Sequence, residues 1–279
     1  MLIKNNFDNE DRYSLFRNVK ELLHPSISKE NISEYKIILK EGLLPIRVYY
    51  PKKVSNMNNV SIFIPGSGKN TDSVGLYDGI CRDLAIKLDK CLIVVDYFDK
   101  TIKYPSTMNS IYETVKFLYN EFYALGLDRN NISLIGDDLG GLFVNDCIIK
   151  SIEENNGFIN KCVLFYPLIS MDYLEGKYES FDSKNDLLTL NLLKDFQKKY
   201  LKEDNYYNKV LEYDKLNLFP EMFIISGEFD PIKDEIELFS KKVNGKYYCF
   251  ESNTHGFIKN IHTMKDDIYN IVKDFIEEN

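Results

Sequence analysis

Tryptophan is missing from this 279-residue chain altogether, although 20 Tyr and 18 Phe are present. Histidine is scarce: His24, His255 and His262 are the only candidates for imidazole chemistry. The five cysteines, Cys81, Cys91, Cys147, Cys162 and Cys249, are odd in number and never fall in C-x-x-C spacing. That pattern excludes a disulfide framework and fits reduced, buried thiols. No His, Cys and carboxylate cluster has metal-ligand spacing, so neither a metal nor a cofactor is expected. No apolar run reaches the 18 residues of a membrane span, and the N-terminus lacks the apolar stretch of a signal peptide. The expectation is a cytoplasmic protein with no stable membrane insertion. Basic residues number 35 against 43 acidic, and the net charge of −8 argues against a nucleic-acid partner.

What is present is enough for a large core, since 44% of residues are hydrophobic and 14% aromatic. Apolar groups at Tyr13, Leu15, Phe16, Val19, Leu22 and Leu23 have helical spacing, ended by Pro25, so residues 1–33 read as an N-terminal helical segment. Tyr35–Leu39 and Leu44–Tyr50 read as an antiparallel hairpin turning at Gly42. Strand and helix patterns then alternate. Strands are predicted at Val60–Ile64, Cys91–Tyr97, Ile132–Ile135, Cys162–Tyr166, Met222–Ser226 and Lys246–Phe250. Helices are predicted at Tyr77–Leu88, Ser106–Leu125, Gly141–Glu153, Ile232–Val243 and His262–Glu278. Continuous apolar strands point to a parallel sheet covered on both faces. Residues 169–219 separate two strands by far more than a usual connection and read as an inserted helical cap, with a helix at Leu187–Tyr200. The chain is thus expected to be one domain, 1–279.

Three segments carry chemistry. Ile132-Ser-Leu-Ile-Gly136-Asp137-Asp138-Leu139-Gly140-Gly141 is a strand feeding a helix, with glycines flanking Asp138 at two-residue spacing. Such glycines suit a tight elbow that holds one side chain exposed above a sheet. Ser226-Gly-Glu-Phe-Asp230-Pro231-Ile-Lys-Asp234 puts a carboxylate just past the next-to-last strand. Asn253-Thr-His255-Gly256-Phe257 puts an imidazole just past the last. Loops at these strand ends converge in α/β sheets, so the order elbow, acid, histidine outweighs any one segment. Gly66-Ser-Gly-Lys69-Asn-Thr71 fails as a phosphate-binding loop, because Phe63 stands where the first glycine belongs and Asn70 follows the lysine. His24 beside Pro25 reads as structural. His262 is the only rival to His255, Asp137 reads as structural, and Asp234 as a local cap or pair.

The chain resembles the hormone-sensitive-lipase-like branch of the α/β-hydrolases, whose elbow, acid and histidine motifs are G-D-S-A-G-G, D-P-L-x-D and H-G-F. Here they stand as Gly136-Asp-Asp-Leu-Gly-Gly141, Asp230-Pro-Ile-Lys-Asp234 and His255-Gly-Phe257. Tyr77–Ala85, Val95-Asp96-Tyr97 and Lys103-Tyr-Pro105 also look like family segments, so the resemblance covers residues 35–279. It implies an eight-stranded, mostly parallel sheet with helices on both faces and a cap. It implies a catalytic triad of Asp138, Asp230 and His255, and an esterase- or lipase-like hydrolase acting on a small molecule; a homodimer stays open. Two departures accompany it. The H-G-G-G oxyanion loop appears as Pro65-Gly66-Ser67-Gly68, leaving backbone N–H groups of Ser67, Gly68 and Leu139 as oxyanion donors. Asp138 takes the place of the nucleophilic serine.

A carboxylate changes how the tetrahedral intermediate collapses. It leaves more readily than an alkoxide by a margin of about 12 pKa units, so an acyl-aspartate is disfavoured. Asp138 could instead polarise water beside His255, giving slow ester hydrolysis. It could attack saturated carbon, as relatives in the superfamily do. The missing tryptophan argues against a dehalogenase, which generally binds halide with an indole N–H. An epoxide hydrolase would need acidic hydroxyls, with Tyr166, Tyr173, Tyr178, Tyr206 and Tyr207 as candidates. Alternatively the carboxylate folds toward the N–H groups of Ser67, Gly68 and Leu139 and leaves a silent, ligand-binding fold.

Overall fold

A computed structural model describes residues 35–37, 43–51, 60–66, 77–97, 106–124, 132–170, 210–259 and 266–278. The N-terminal helical segment, most of the cap segment, Ser67, Gly68, Tyr173, Tyr178, Tyr206, Tyr207, His24 and His262 fall outside them. Eight strands form one sheet: β1 (Tyr35–Ile37), β2 (Ile46–Tyr49), β3 (Val60–Ile64), β4 (Cys91–Val95), β5 (Ile132–Asp137), β6 (Lys161–Phe165), β7 (Glu221–Gly227) and β8 (Lys246–Phe250). Their spatial order is β1-β2-β4-β3-β5-β6-β7-β8. The pairs β1/β2 and β2/β4 are antiparallel, and every later pair is parallel.

The order explains the apolar runs. Strands β3 to β6 lie inside the sheet, and every residue in them is buried, as expected when helices cover both faces. Ser61 and Ser133 are tolerated there because they face each other across β3 and β5 and hydrogen-bond at 2.8 Å. Among the described residues, four helices lie between strands, α1 (Asp78–Leu88), α2 (Ser106–Ala124), α3 (Leu139–Glu153) and α4 (Lys233–Lys242), and α5 (Asp266–Glu277) follows β8. Among the described residues none is long and apolar enough to cross a membrane.

Several boundaries differ from the sequence reading. Strand β5 runs through Gly136 to Asp137, because Gly136 pairs with both Ile64 and Leu164 and Asp137 with Phe165. Ladder hydrogen bonds on two sides outweigh the weak strand preference of glycine. Helix α3 starts two residues earlier than expected, at Leu139, directly after Asp138. Strand β4 stops at Val95, and the expected start of α5 at His262 lies outside the described residues. Of the cap segment, Ile169, Ser170 and residues 210–219 are described, and they contain two short 3₁₀ turns, Val210–Glu212 and Leu216–Leu218.

Helix α3 is buried over nearly its whole length and carries a cost there. Both carboxylate oxygens of Asp146 are buried without a hydrogen-bond partner, as are both polar atoms of the Asn145 side chain. Burial pushes the Asp146 carboxyl well above its ordinary range, so it stays protonated. A folded-state pKa raised above the unfolded value of about 3.9 leaves stability intact below that pH and erodes it as pH rises. Asp146→Asn removes the titration. Denaturant unfolding is expected to show the variant more stable at pH 7, by about 1–3 kcal/mol, with the two proteins converging near pH 4. A variant less stable than the parent at pH 7 would contradict this.

Candidate active site

The C-terminal ends of the parallel strands face one way, and three of them deliver the site. Asp138 follows β5 directly, Asp230 lies three residues past β7, and His255 five residues past β8. Asp138 has φ 51° and ψ −122°, a backbone conformation that an L-residue adopts at a cost. Its own backbone holds it there: its N–H donates to Phe165 O at 3.1 Å, and its carbonyl accepts from Gly141 and Leu168 at 3.1 and 2.9 Å. The glycine two residues after it is there for space. A Cβ on Gly140 would stand 1.9 Å from the Ile64 carbonyl oxygen, so α3 can pack onto β3 only without one. Tyr166 also has positive φ, at 36°, where β6 ends beside the elbow.

Asp137 anchors the elbow to the loop after β3. It is fully buried and accepts from the Gly66 N–H at 2.6 Å and from the Tyr166 hydroxyl at 3.1 Å. The Tyr77 hydroxyl lies between the Gly66 carbonyl and Asp137 Oδ2. Burial, aided by the Asp138 charge, pushes the Asp137 carboxyl up against the opposing pull of Lys259. Its structural reading thus acquires a purpose, for it ties Gly66, in the loop after β3, to the elbow. Tyr166, a candidate acid for epoxide opening, has its hydroxyl committed to Asp137. Its ring lies 4.8 Å from the His255 ring, as a wall of the site.

The three candidate triad residues meet. His255 Nδ1 lies 2.9 Å from Asp230 Oδ2. A carboxylate only accepts, so Nδ1 carries the proton. Asp230 is itself fixed by the Ile232 N–H on Oδ1 at 3.0 Å. His255 Nε2 then faces Asp138 Oδ1 at 3.4 Å. Asp234, the rival acid, sits in the first turn of α4. Burial alone would lower the His255 pKa, but the Asp230 charge and hydrogen bonds to Asp138 and Asp230 push it up to about 9.

A fourth residue, Lys259, has no counterpart in the sequence reading. It ends the 3₁₀ turn Phe257–Lys259, and its Nζ lies 3.5 Å from Asp138 Oδ2. It also lies 5.6 Å from the centre of the Tyr77 ring. Burial opposes the Asp138 charge, but Lys259 and then His255 hold its carboxyl below the usual range. Burial likewise works against the Lys259 ammonium, which Asp138 and Asp137 stabilise so that its pKa is raised. The Asp138 carboxylate makes no capping hydrogen bond to α3 and spends itself on these two cations instead. Its signal in the sequence was faint: a lysine two residues beyond the H-G-F motif, with no spacing rule to mark it.

A cleft of about 360 Å³, lined by Ile148, Ile152, Ile159, Leu218 and Pro220 among others, opens at the other end of the sheet, beside the starts of β6 and β7. Among the described residues no cluster could hold a metal ion.

Comparison with known proteins bears on the family and the fold. A sequence profile of a family described as alpha/beta hydrolase fold matches residues 62–259, well over half of the chain. The chain belongs to that family. It is 25% identical over 261 residues to an arylesterase of Saccharolobus solfataricus, covering 88% of this chain and 84% of that protein. Among solved structures it is similar to the Francisella virulence factor BioJ, with a TM-score of 0.78 and 23% identity over 98% of this chain and 94% of that one. It is also similar to EstE1, a thermostable carboxylesterase from a metagenomic library, with a TM-score of 0.75 and 25% identity over 95% of each chain.

The elbow gives a direct packing test. Gly140→Ala pushes a methyl into the Ile64 carbonyl and is expected to destabilise the fold by about 3 kcal/mol in denaturant unfolding. A loss near zero would mean that α3 does not pack onto β3 as described.

Proposed function

We propose that the protein is an esterase-like hydrolase of small carboxylic esters in which an aspartate stands where the family has a nucleophilic serine, and water is the nucleophile. The observation that supports this most is the chain of contacts from Asp230 through His255 to Asp138, a histidine with an orienting acid on one nitrogen and the elbow on the other. Neutral His255 takes a proton at Nε2 from a water beside Asp138. The water oxygen bonds to the ester carbonyl carbon, and the carbonyl oxygen becomes an oxyanion. The Leu139 N–H, at the start of α3, and the Ser67 and Gly68 N–H groups are the proposed donors to it. Collapse breaks the bond to the alkoxide, which takes the proton back from His255, releasing acid and alcohol.

The charges set the pH dependence. His255 is a base only when neutral, and its pKa is pushed up to about 9. Two pH units lower, about one molecule in a hundred has the neutral imidazole. Hydrolysis of p-nitrophenyl acetate is therefore expected to be slow at pH 7 and to climb until the pH passes about 9. His255→Ala should abolish the climb. Asp138→Ser should raise the rate at neutral pH by roughly 100-fold or more, since it supplies an alcohol nucleophile and removes a carboxylate from the imidazole. A rate unaffected by His255→Ala would overturn the proposal.

One observation favours a second reading. With His255 between two carboxylates and Asp138 held by two cations, the resting site at neutral pH is a closed ionic network. A protein that binds its ligand without turning it over would look the same. No turnover at any pH, together with no gain in Asp138→Ser, is the result that selects it.

A further inference from the structure

We infer that Lys259 is a positioning residue of this site: its ammonium holds one oxygen of Asp138, turns the other toward His255, and so sets the pH at which His255 can accept a proton. The kinetic part of this inference rests on the ester-hydrolysis reading; the titration part does not.

The geometry assigns one cation to each oxygen. Lys259 Nζ lies 3.5 Å from Oδ2, and His255 Nε2 lies 3.4 Å from Oδ1. The terminal torsion of an aspartate is broad and roughly two-fold, so nothing in the side chain itself favours this orientation. Asp138 lacks a capping bond to the helix behind it, and at Gly66 the neighbouring backbone stands close, where a Cβ would lie 3.2 Å from Oδ2. Among the described residues, Lys259 is thus the polar partner that distinguishes Oδ2 from Oδ1. The ammonium is guided in turn by the Tyr77 ring, whose hydroxyl is tied to Gly66 and Asp137. With a side chain 35% exposed, Lys259 leans out of the protein yet directs its charge inward, onto the residue at the elbow.

The charge arithmetic gives the direction of the effect. Asp230 reaches His255 from the loop after β7 and Asp138 from the elbow, while the Tyr166 ring packs on it from the end of β6. Asp137, the residue before Asp138, is hydrogen-bonded to the Tyr77 hydroxyl, and Lys259 approaches from the turn that follows His255. Among the described residues, the cations facing these carboxylates are His255 itself and Lys259. Removing the lysine charge leaves the imidazolium to neutralise Asp138 alone, so the imidazole holds its proton more tightly. A lysine that only supports the fold would leave that titration where it was.

The chain has three histidines, so the His255 ring protons can be assigned in an NMR titration by comparison with His255→Ala. Lys259→Met is expected to raise the His255 midpoint by about one pH unit, and to move the alkaline limb of kcat/KM by the same amount. Lys259→Arg is expected to return both to within a few tenths of the parent, because the charge is kept. In an Asp138→Ser background, where there is no carboxylate to orient, Lys259→Met is expected to shift the midpoint less than half as far. A midpoint unmoved by Lys259→Met, an arginine variant that behaves like the methionine one, or equal shifts in both backgrounds would each overturn the inference. Should Lys259→Met fail to fold, Lys259→Gln carries the same test. Shifted titration without turnover at any pH would sink the ester-hydrolysis reading and leave Lys259 in its role; turnover with an unshifted titration would do the reverse.

Discussion

One carboxylate shared between two cations governs this site. Asp138 gives one oxygen to His255 and the other to Lys259, and each partner's charge depends on it. In water such contacts contribute little, but here burial removes the competing solvent, so the attraction outweighs desolvation for all three groups. The same arrangement limits the chemistry. A carboxylate occupied on both oxygens is a poor attacker, and an imidazole between two carboxylates is a poor base until the medium is alkaline.

The fold supplies this geometry through backbone constraints more than through the charges. Gly140 lets α3 approach the Ile64 carbonyl, and backbone hydrogen bonds to Phe165, Gly141 and Leu168 hold the tight turn in which Asp138 takes positive φ. Asp137 then fastens the elbow to Gly66 from below, in a pocket closed by Tyr77 and Tyr166. Because β5, β7 and β8 run parallel, three segments far apart in the chain open onto the same edge of the sheet. The strain at residue 138 is held by neighbours that are themselves buried and hydrogen-bonded, as stored strain requires.

Much of this was legible in the residues. Runs of strand-forming residues match β3 and β8 to the residue: β3 is an interior parallel strand, apolar on both faces, and β8 is an aromatic-rich edge strand that follows α4. The elbow, the acid and the histidine were legible because each motif sits next to a strand end. What escaped was set by contacts between distant parts of the chain. The extension of β5 through Gly136 depends on ladders with two neighbours, which no local propensity reports. Lys259 escaped because a lysine has no spacing signature; only the approach of the turn after β8 to the elbow makes it part of the site. Tyr166 was read as a hydroxyl for chemistry, whereas its hydroxyl satisfies a buried carboxylate.

Membership of the α/β-hydrolase family establishes the scaffold, and the residue at the elbow decides what the scaffold does. In the proposed mechanism Asp138 is a fixed charge that orients water and imidazole, not an attacking group. Mass spectrometry after a single turnover in ¹⁸O-water, with enzyme in excess over ester, tests this most directly. Water attack puts the heavy oxygen in the released acid and none in the peptide that contains Asp138. Heavy oxygen in the Asp138 carboxylate after that turnover would show that the aspartate had been acylated, and would contradict the account.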